Sequence, residues 1–293
     1  MPNLKNIRRR IASVKSTGKI TRAMKLVAAA KLRRAQERLV ALRPYALRVS
    51  DMIAEIARGA DAQDHPLLQV RAPKRTLLLL LTSDRGLAGA FNANVNRAAN
   101  TWVTQNQDLR DHVELRIVGK KGRDFFKSRP VKVGAVYADV LNNLTMERAS
   151  DIGREVAAAY VDGHFDEVFV VYNEFKSAIL QITRMLRLLP LNPNEGDKGV
   201  HVAPSPSAET LFEPSKQAVL DAILPLSINL QVFRTLLESV ASENGARMTS
   251  MDAATKNAKE LLGRITLQYN RARQSIITTE LMEITSGAEA LKG

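Results

Sequence analysis

The stretch Thr82-Ser83-Asp84-Arg85-Gly86-Leu87-Ala88-Gly89 stands between a strand-like run and a helix-like run, where a phosphate loop would sit. It lacks both G-x-x-x-x-G-K-[ST] and G-x-G-x-x-G, and a tight turn before a capped helix explains its glycines equally well. His65, His112, His164 and His201 show no H-x-x-x-H or H-E-x-x-H spacing, so they argue for no metal site. Ser, His and Asp are all present, but no nucleophile elbow is. Asp166-Glu167 precedes a strand, where solvated turn acids explain the pair better than catalytic carboxylates do. With no cysteine in the chain, thiol nucleophiles, disulfides and thiolate metal sites are excluded. The residues point to no catalytic, cofactor-binding or metal site of the chain's own.

What stands out instead is charge. The first fifty residues carry fourteen Lys or Arg and one acid, Glu37, and that surplus equals the whole chain's net charge of +13. A solvated helix face is one reading, weakened because charge of one sign repels itself unless an acidic partner relieves it. Nucleic acid is a second, although no interleaved aromatics or recognised binding fold accompany the charge. An acidic protein surface is the third.

The same basic segment repeats residues at alternating spacings of three and four, all apolar except Gly18, Thr21 and Lys25. The series is Leu4, Ile7, Ile11, Val14, Gly18, Thr21, Lys25, Ala28, Leu32, Ala35, Leu39, Leu42, Ala46, Val49, Ile53 and Ile56. That is a heptad seam, and it predicts a helix roughly 80 Å long at ~1.5 Å per residue, bent at Pro44. A second seam runs Val219, Ile223, Leu226, Leu230, Phe233, Leu237, Val240, Asn244, Arg247, Met251, Ala254, Ala258, Leu261 and Ile265, then more weakly through Gln268, Ala272, Ser275 or Ile276, Thr279 and Met282. Pro214 suits its start, Pro225 predicts a kink or restart, and Asn244 and Arg247 are expected to fix register or face another subunit. Two such seams at opposite ends of one chain pair most simply with each other, antiparallel.

Between them the texture changes. Strands are expected over 75–82, 113–118, 131–137, 168–172 and 179–189, with helices from about 91, over 122–127 and over 144–161. The fold class is therefore α/β plus coiled coil: long antiparallel terminal helices flank a small Rossmann-like α/β domain with a mostly parallel sheet. The expected partition is a coiled-coil helix over 1–58, an α/β foot over 74–190, a linker or mobile loop over 191–214, and a second coiled-coil helix over 215–288. The all-leucine run Leu77 to Leu81 is far short of a membrane span, so a soluble or peripheral protein is expected.

Three motifs carry a resemblance. Ile7 to Gln36, IRRRIASVKSTGKITRAMKLVAAAKLRRAQ, resembles the opening of the gamma subunit of F-type ATP synthases. Thr82 to Asn92, TSDRGLAGAFN, resembles that family's central motif. Ala246 to Ala258 with Tyr269 to Ile284 resembles its closing helix. They stand in the family's order and span essentially the whole chain.

The resemblance implies a rotor. Its coiled coil would stand as one copy inside a ring of three alpha and three beta subunits. Its foot would bind epsilon and the membrane c-ring, and ion flow would turn it so that each catalytic beta site changes in sequence. ATP chemistry would occur on beta, with no cofactor here and no nucleic acid as partner. A basic coiled-coil nucleic-acid-binding protein is the alternative. Carried over by motif, Met24 would meet an acidic loop of beta with Lys25, Arg33 and Arg34 nearby. Arg273, Gln274, Thr278 and Glu280 would catch a beta loop, and Asp84 and Arg85 would touch the stator or steady the foot. The family commonly has Cys where this chain has Ala88, and the chloroplast form's Cys-bearing insertion is missing, so redox control is not expected. The motif begins directly after Met1, which suggests a bacterial protein peripheral to the cytoplasmic face of the inner membrane. The tail from Gly287 to Gly293 is expected to fray.

Overall fold

A computed structural model describes residues 4–56, 65–106, 112–192 and 215–290. In chain order the elements are α1 (Leu4–Ile56), β1 (Arg75–Leu81), α2 (Phe91–Asn106), β2 (His112–Val118), α3 (Lys120–Phe126), β3 (Lys132–Tyr137), α4 (Met146–Val161), β4 (Glu167–Phe175), β5 (Gln181–Leu189) and α5 (Lys216–Ala290). They fall into two compact units: Met1–Ala28 with Arg247–Gly293, and Ala29–Ala246. Most of the linker expected over 191–214 lies outside the described residues.

In the first unit α1 and α5 run antiparallel. A methyl built on Gly18 lies 3.6 Å from Ala258 Cβ, the Thr21 and Thr255 hydroxyls are 2.8 Å apart, and Lys25 Nζ is 2.5 Å from Asp252. The rising α1 numbers meet falling α5 numbers. On α1 the expected seam positions are the covered ones, with Thr21 and Ala28 fully buried. On α5 the register differs from expectation. Leu262 and Tyr269 are half-buried, whereas Leu261 is 43 % exposed and Gln268 is exposed. The seam steps four residues from Ala258, not three. Adjacent leucines at 261 and 262 offer either step, and only the partner helix chooses. Continued along the coil, this pairing sets Leu4 opposite Ala272, so α5 beyond that level has no described α1 residue facing it. Ile277, Leu281, Met282 and Ile284 there are exposed, and the helix continues through Gly287 to Ala290.

Both prolines lie within unbroken helices. Pro44 is on an exposed face, where the carbonyl it fails to bond is left to water. Pro225 is flanked by buried Ile223, Leu224 and Ile228, whose packing holds the helix across the missing donor. One 18-residue stretch of α5 is apolar enough to cross a membrane by composition, but 56 % of it is buried within the protein.

In the second unit a five-stranded sheet has the order β3-β2-β1-β4-β5, parallel except for β5, which pairs antiparallel with β4. Every strand expected from sequence forms. The run Leu77–Leu81 is 0 % exposed throughout because the sheet is covered on both faces. Leu77, Leu79 and Leu81 enter a core with α4 and the unit's parts of α1 and α5; Leu78 and Leu80 enter a separate one with α2 and α3. β1 therefore lies at the centre of three layers, and its end delivers Thr82 to Gly89 at the sheet's C-terminal edge.

Candidate interaction surfaces

The turn after β1 is a knot of hydrogen bonds. Thr82, fully buried, donates its hydroxyl to the Val118 carbonyl at 2.7 Å and accepts the Gly122 N–H at 2.9 Å. Ser83 N–H donates to Asn92 Oδ1 at 2.8 Å, while the Asn92 amide donates back to Ser83 Oγ at 2.9 Å. The two Asp84 carboxylate oxygens accept the backbone N–H of Lys120 at 3.2 Å and of Asp139 at 3.0 Å. Asp139 itself has φ 59°, a left-handed conformation that its own carboxylate steadies by accepting the Asn142 and Asn143 amides. These amides hold the Asp139 carboxyl below its usual range, with Arg148 and Arg85 adding charge. Gly119 has φ 88°, and a methyl there would lie 2.2 Å from the Thr82 carbonyl, so only glycine fits.

The turn thus bonds to its own neighbours at the position where a nucleotide would be expected. In an open α/β sheet a ligand binds where the strand order reverses, here between β1 and β4. Asn173 of β4 fills that place: its amide donates to the Phe91 carbonyl at 2.9 Å, its Oδ1 accepts the Thr183 hydroxyl at 2.7 Å, and its carbonyl accepts the Ser242 hydroxyl from α5. Asp166, likewise, is a structural acid. Burial pushes its carboxyl up, but the Arg75 guanidinium and the backbone N–H of Arg75 and Lys74 outweigh that and hold it low. Among the described residues no cluster of three or more His, Cys, Asp or Glu could hold a metal.

In the coiled-coil unit, Met24 and Lys25 are half-covered neighbours on α1. Lys25 is occupied by Asp252, whose other oxygen takes Lys256 at 3.0 Å. Bonds from these two ammonium groups hold the Asp252 carboxyl below its usual range. Farther along α5, Arg273, Gln274, Thr278 and Glu280 are all exposed, and the Thr278 hydroxyl donates to the Gln274 carbonyl at 3.0 Å. Arg33 and Arg34 belong to the other unit. Both are exposed, and Arg33 pairs with Glu37 at 3.0 Å.

A family model described as ATP synthase matches residues 3–291. ATP synthase gamma chains of Geotalea daltonii and Geobacter metallireducens are each 48 % identical to this chain over 293 residues, with both chains fully covered in each case. The chain belongs to the ATP synthase gamma-chain family. A solved chain from the central stalk and c-ring of Tetrahymena thermophila mitochondrial ATP synthase is similar at TM-score 0.62 and 28 % identity, over 80 % of this chain and 99 % of that one. A chain of the Euglena gracilis mitochondrial ATP synthase matches at TM-score 0.67 and 19 % identity, over 98 % and 94 %, which speaks for the fold alone.

The central-stalk role comes with the family, and the nucleic-acid alternative falls away. As a gamma-chain family member the protein is part of a membrane-associated complex. The residues carried over from the family's motifs form separate sets. Met24 and Lys25 share one unit with the exposed group on α5, while Arg33, Arg34, Asp84 and Arg85 belong to the other. Of these, Asp84 has a structural role visible in the fold, tying the ends of β1, β2 and β3 together. Sequence reasoning missed its partners Lys120 and Asp139, and the Asn142 and Asn143 amides that steady Asp139; an Asp followed by two Asn was the available signal for a tight polar turn. It also missed the Lys25–Asp252–Lys256 group, whose members lie more than two hundred residues apart.

Proposed function

We propose that the chain is the central rotor shaft of an F-type ATP synthase, converting ion-driven rotation of a membrane c-ring into successive conformational changes at the catalytic beta subunits. It stands as one copy within three alpha and three beta subunits, carries epsilon on its α/β foot, and works at the cytoplasmic face of a bacterial inner membrane. The observation that carries this reading is full-length identity of 48 % to gamma chains.

Physical features support it. A shaft that slips past its neighbours many times a second needs contacts that break easily, and exposed charge pairs do so better than a large apolar interface. The exposed Arg and Lys of the first fifty residues supply such contacts for acidic surface on beta. Met24 and Lys25 face that surface with Arg33 and Arg34 nearby, Arg273, Gln274, Thr278 and Glu280 engage a beta loop by hydrogen bonds and ion pairs, and Arg85 lies beside the Asp84 tie. The test is co-expression with alpha and beta subunits, purification on a tag on this chain, and assay of ATP hydrolysis. A three-three-one complex whose hydrolysis is lost without this chain is the expected result. A chain that elutes alone, or with nucleic acid that salt removes, refutes the reading.

A further inference from the structure

The seam of the coiled-coil unit gives up apolar burial at three consecutive levels. Gly18, Thr21 and Lys25 of α1 meet Ala258, Thr255 and Asp252 of α5. Each threonine hydroxyl has one proton to give. Thr255 lies 2.7 Å from the Met251 carbonyl of its own helix, and Thr21 lies 3.2 Å from the Gly18 carbonyl of its own. The shorter bond takes the Thr255 proton, so Thr21 donates across the gap to Thr255 Oγ1 at 2.8 Å. The result is a hydrogen-bonded chain from α1 to the α5 backbone, each bond strengthening the other. One turn away, Asp252 bridges Lys25 on one helix and Lys256 on the other.

Apolar contacts have no direction and change little when one helix slides a fraction of a turn along its partner. Hydrogen bonds weaken steeply under the same displacement. When a two-helix rod is twisted, its helices must slide past one another unless something ties them. We propose that the Thr21–Thr255 and Lys25–Asp252 layer is a shear clamp, which fixes the axial register of the two helices and makes them carry torque as one body. The register half stands on the coiled-coil unit alone; the torque half rests on the rotor reading. The sequence also penalises the neighbouring register. Sliding α5 by seven residues sets Lys259 in the place of Asp252, opposite Lys25, and Leu262 against Thr21.

The test uses the assembled complex, with cysteines added to a chain that has none. Thr21→Val/Thr255→Val removes the hydroxyl bond and keeps the shape. Asp252→Lys sets like charges face to face, and Lys25→Asp/Asp252→Lys restores the pair with its ends exchanged. Val14→Cys/Leu262→Cys, opposite each other when the observed pairing is carried one turn on, reports register by oxidative cross-linking. The threonine variant is expected to hydrolyse ATP normally without an ion gradient but to pump about threefold fewer ions per ATP, as the loss of one half-buried hydrogen bond under load implies. Asp252→Lys should pump less and lose the cross-link, and the exchanged pair should recover the cross-link, a readout independent of the contact Lys25 makes with beta. Loss of the cross-link in variants that still hydrolyse ATP also supports the clamp. Unchanged pumping with the cross-link intact overturns it, as does an exchanged pair whose cross-link does not return. If hydrolysis proves independent of this chain, the rotor reading fails, and the cross-link alone decides the register half.

Discussion

Gly122→Ala should destabilise the α/β unit, opposite to the usual sense of that substitution in a helix. In an open helix the change is worth about 0.5–1 kcal/mol of added stability. Here a methyl would lie 2.6 Å from Ile117 Cγ2 and 2.8 Å from Thr82 Oγ1. Neither neighbour can give way. Ile117 is 0 % exposed within β2, and Thr82 Oγ1 is held by its bonds to the Val118 carbonyl and to the Gly122 N–H itself. Overpacking at such a site costs about 1–3 kcal/mol, and displacing Thr82 leaves a buried N–H unmet at about 1–3 kcal/mol. After the helix gain is subtracted, a net loss of about 1–5 kcal/mol remains, centred on about 3 kcal/mol. Trp102, the chain's single tryptophan, packs on Phe169 with ring centroids 5.8 Å apart, so its fluorescence follows this unit alone. With a urea slope of about 2–3 kcal/mol per molar, the Trp102 midpoint should fall by about 1 M. Gly263→Ala is the control, since no atom stands within 4 Å of its added methyl. It should leave the Trp102 midpoint in place and raise the temperature at which helical circular dichroism is lost. A Gly122→Ala midpoint equal to or above that of the parent refutes the reasoning.

Acid should act on the same unit through Asp166. Its carboxyl is held below the unfolded value of about 3.9, so its stabilisation is complete above that pH and lost as pH falls through the lower folded value. The Trp102 midpoint should therefore drop on acidification below about pH 4, and Asp166→Asn should lower the neutral-pH midpoint and flatten that drop. Asp84→Ala frees the Lys120 and Asp139 N–H groups, and hydrogen exchange at those two amides should quicken by the equivalent of about 1.5–3 kcal/mol with other strands little changed. In the assembled complex, Arg273→Ala or Glu280→Gln should slow ATP hydrolysis about fivefold, the worth of one ion pair or hydrogen bond of about 1 kcal/mol, while the Trp102 midpoint stays put. A shifted midpoint there would mean that the exposed side chains act on folding and not on a partner.

The sheet was legible because most of its strands are short apolar runs bounded by turn residues, and Leu77–Leu81, followed at once by a Gly-containing turn, reads as a strand covered on both faces. The N-terminal seam was equally plain, since one periodic series fits it. The C-terminal seam was not, because Leu261 and Leu262 satisfy either step and periodicity cannot rank them. Pro44 and Pro225 interrupt neither helix: the carbonyl left without a donor at Pro44 faces water, and buried neighbours carry α5 across Pro225 without a restart. The turn at Thr82–Gly89 was located correctly, but its partners on the loops after β2 and β3 come from chain closure, which spacing does not reveal. Lys25 shows the same limit. Its charge was visible and its helix was visible, but Asp252 reaches it only after the two ends of the chain meet.

Arg8, Arg9 and Arg10 are consecutive and exposed, so their guanidinium groups point ~100° apart and spread over more than half of the helix circumference. Lys15, Lys19 and Arg22 continue the same broad coverage. A smear of like charge has little angular corrugation: turned against an acidic wall, its attraction scarcely varies with heading. On the rotor reading, such a surface would hold the shaft centred without choosing where it stops. The stopping places would then fall to the few groups that hydrogen-bond in one direction only, which would separate the lubricated part of this protein from its detents.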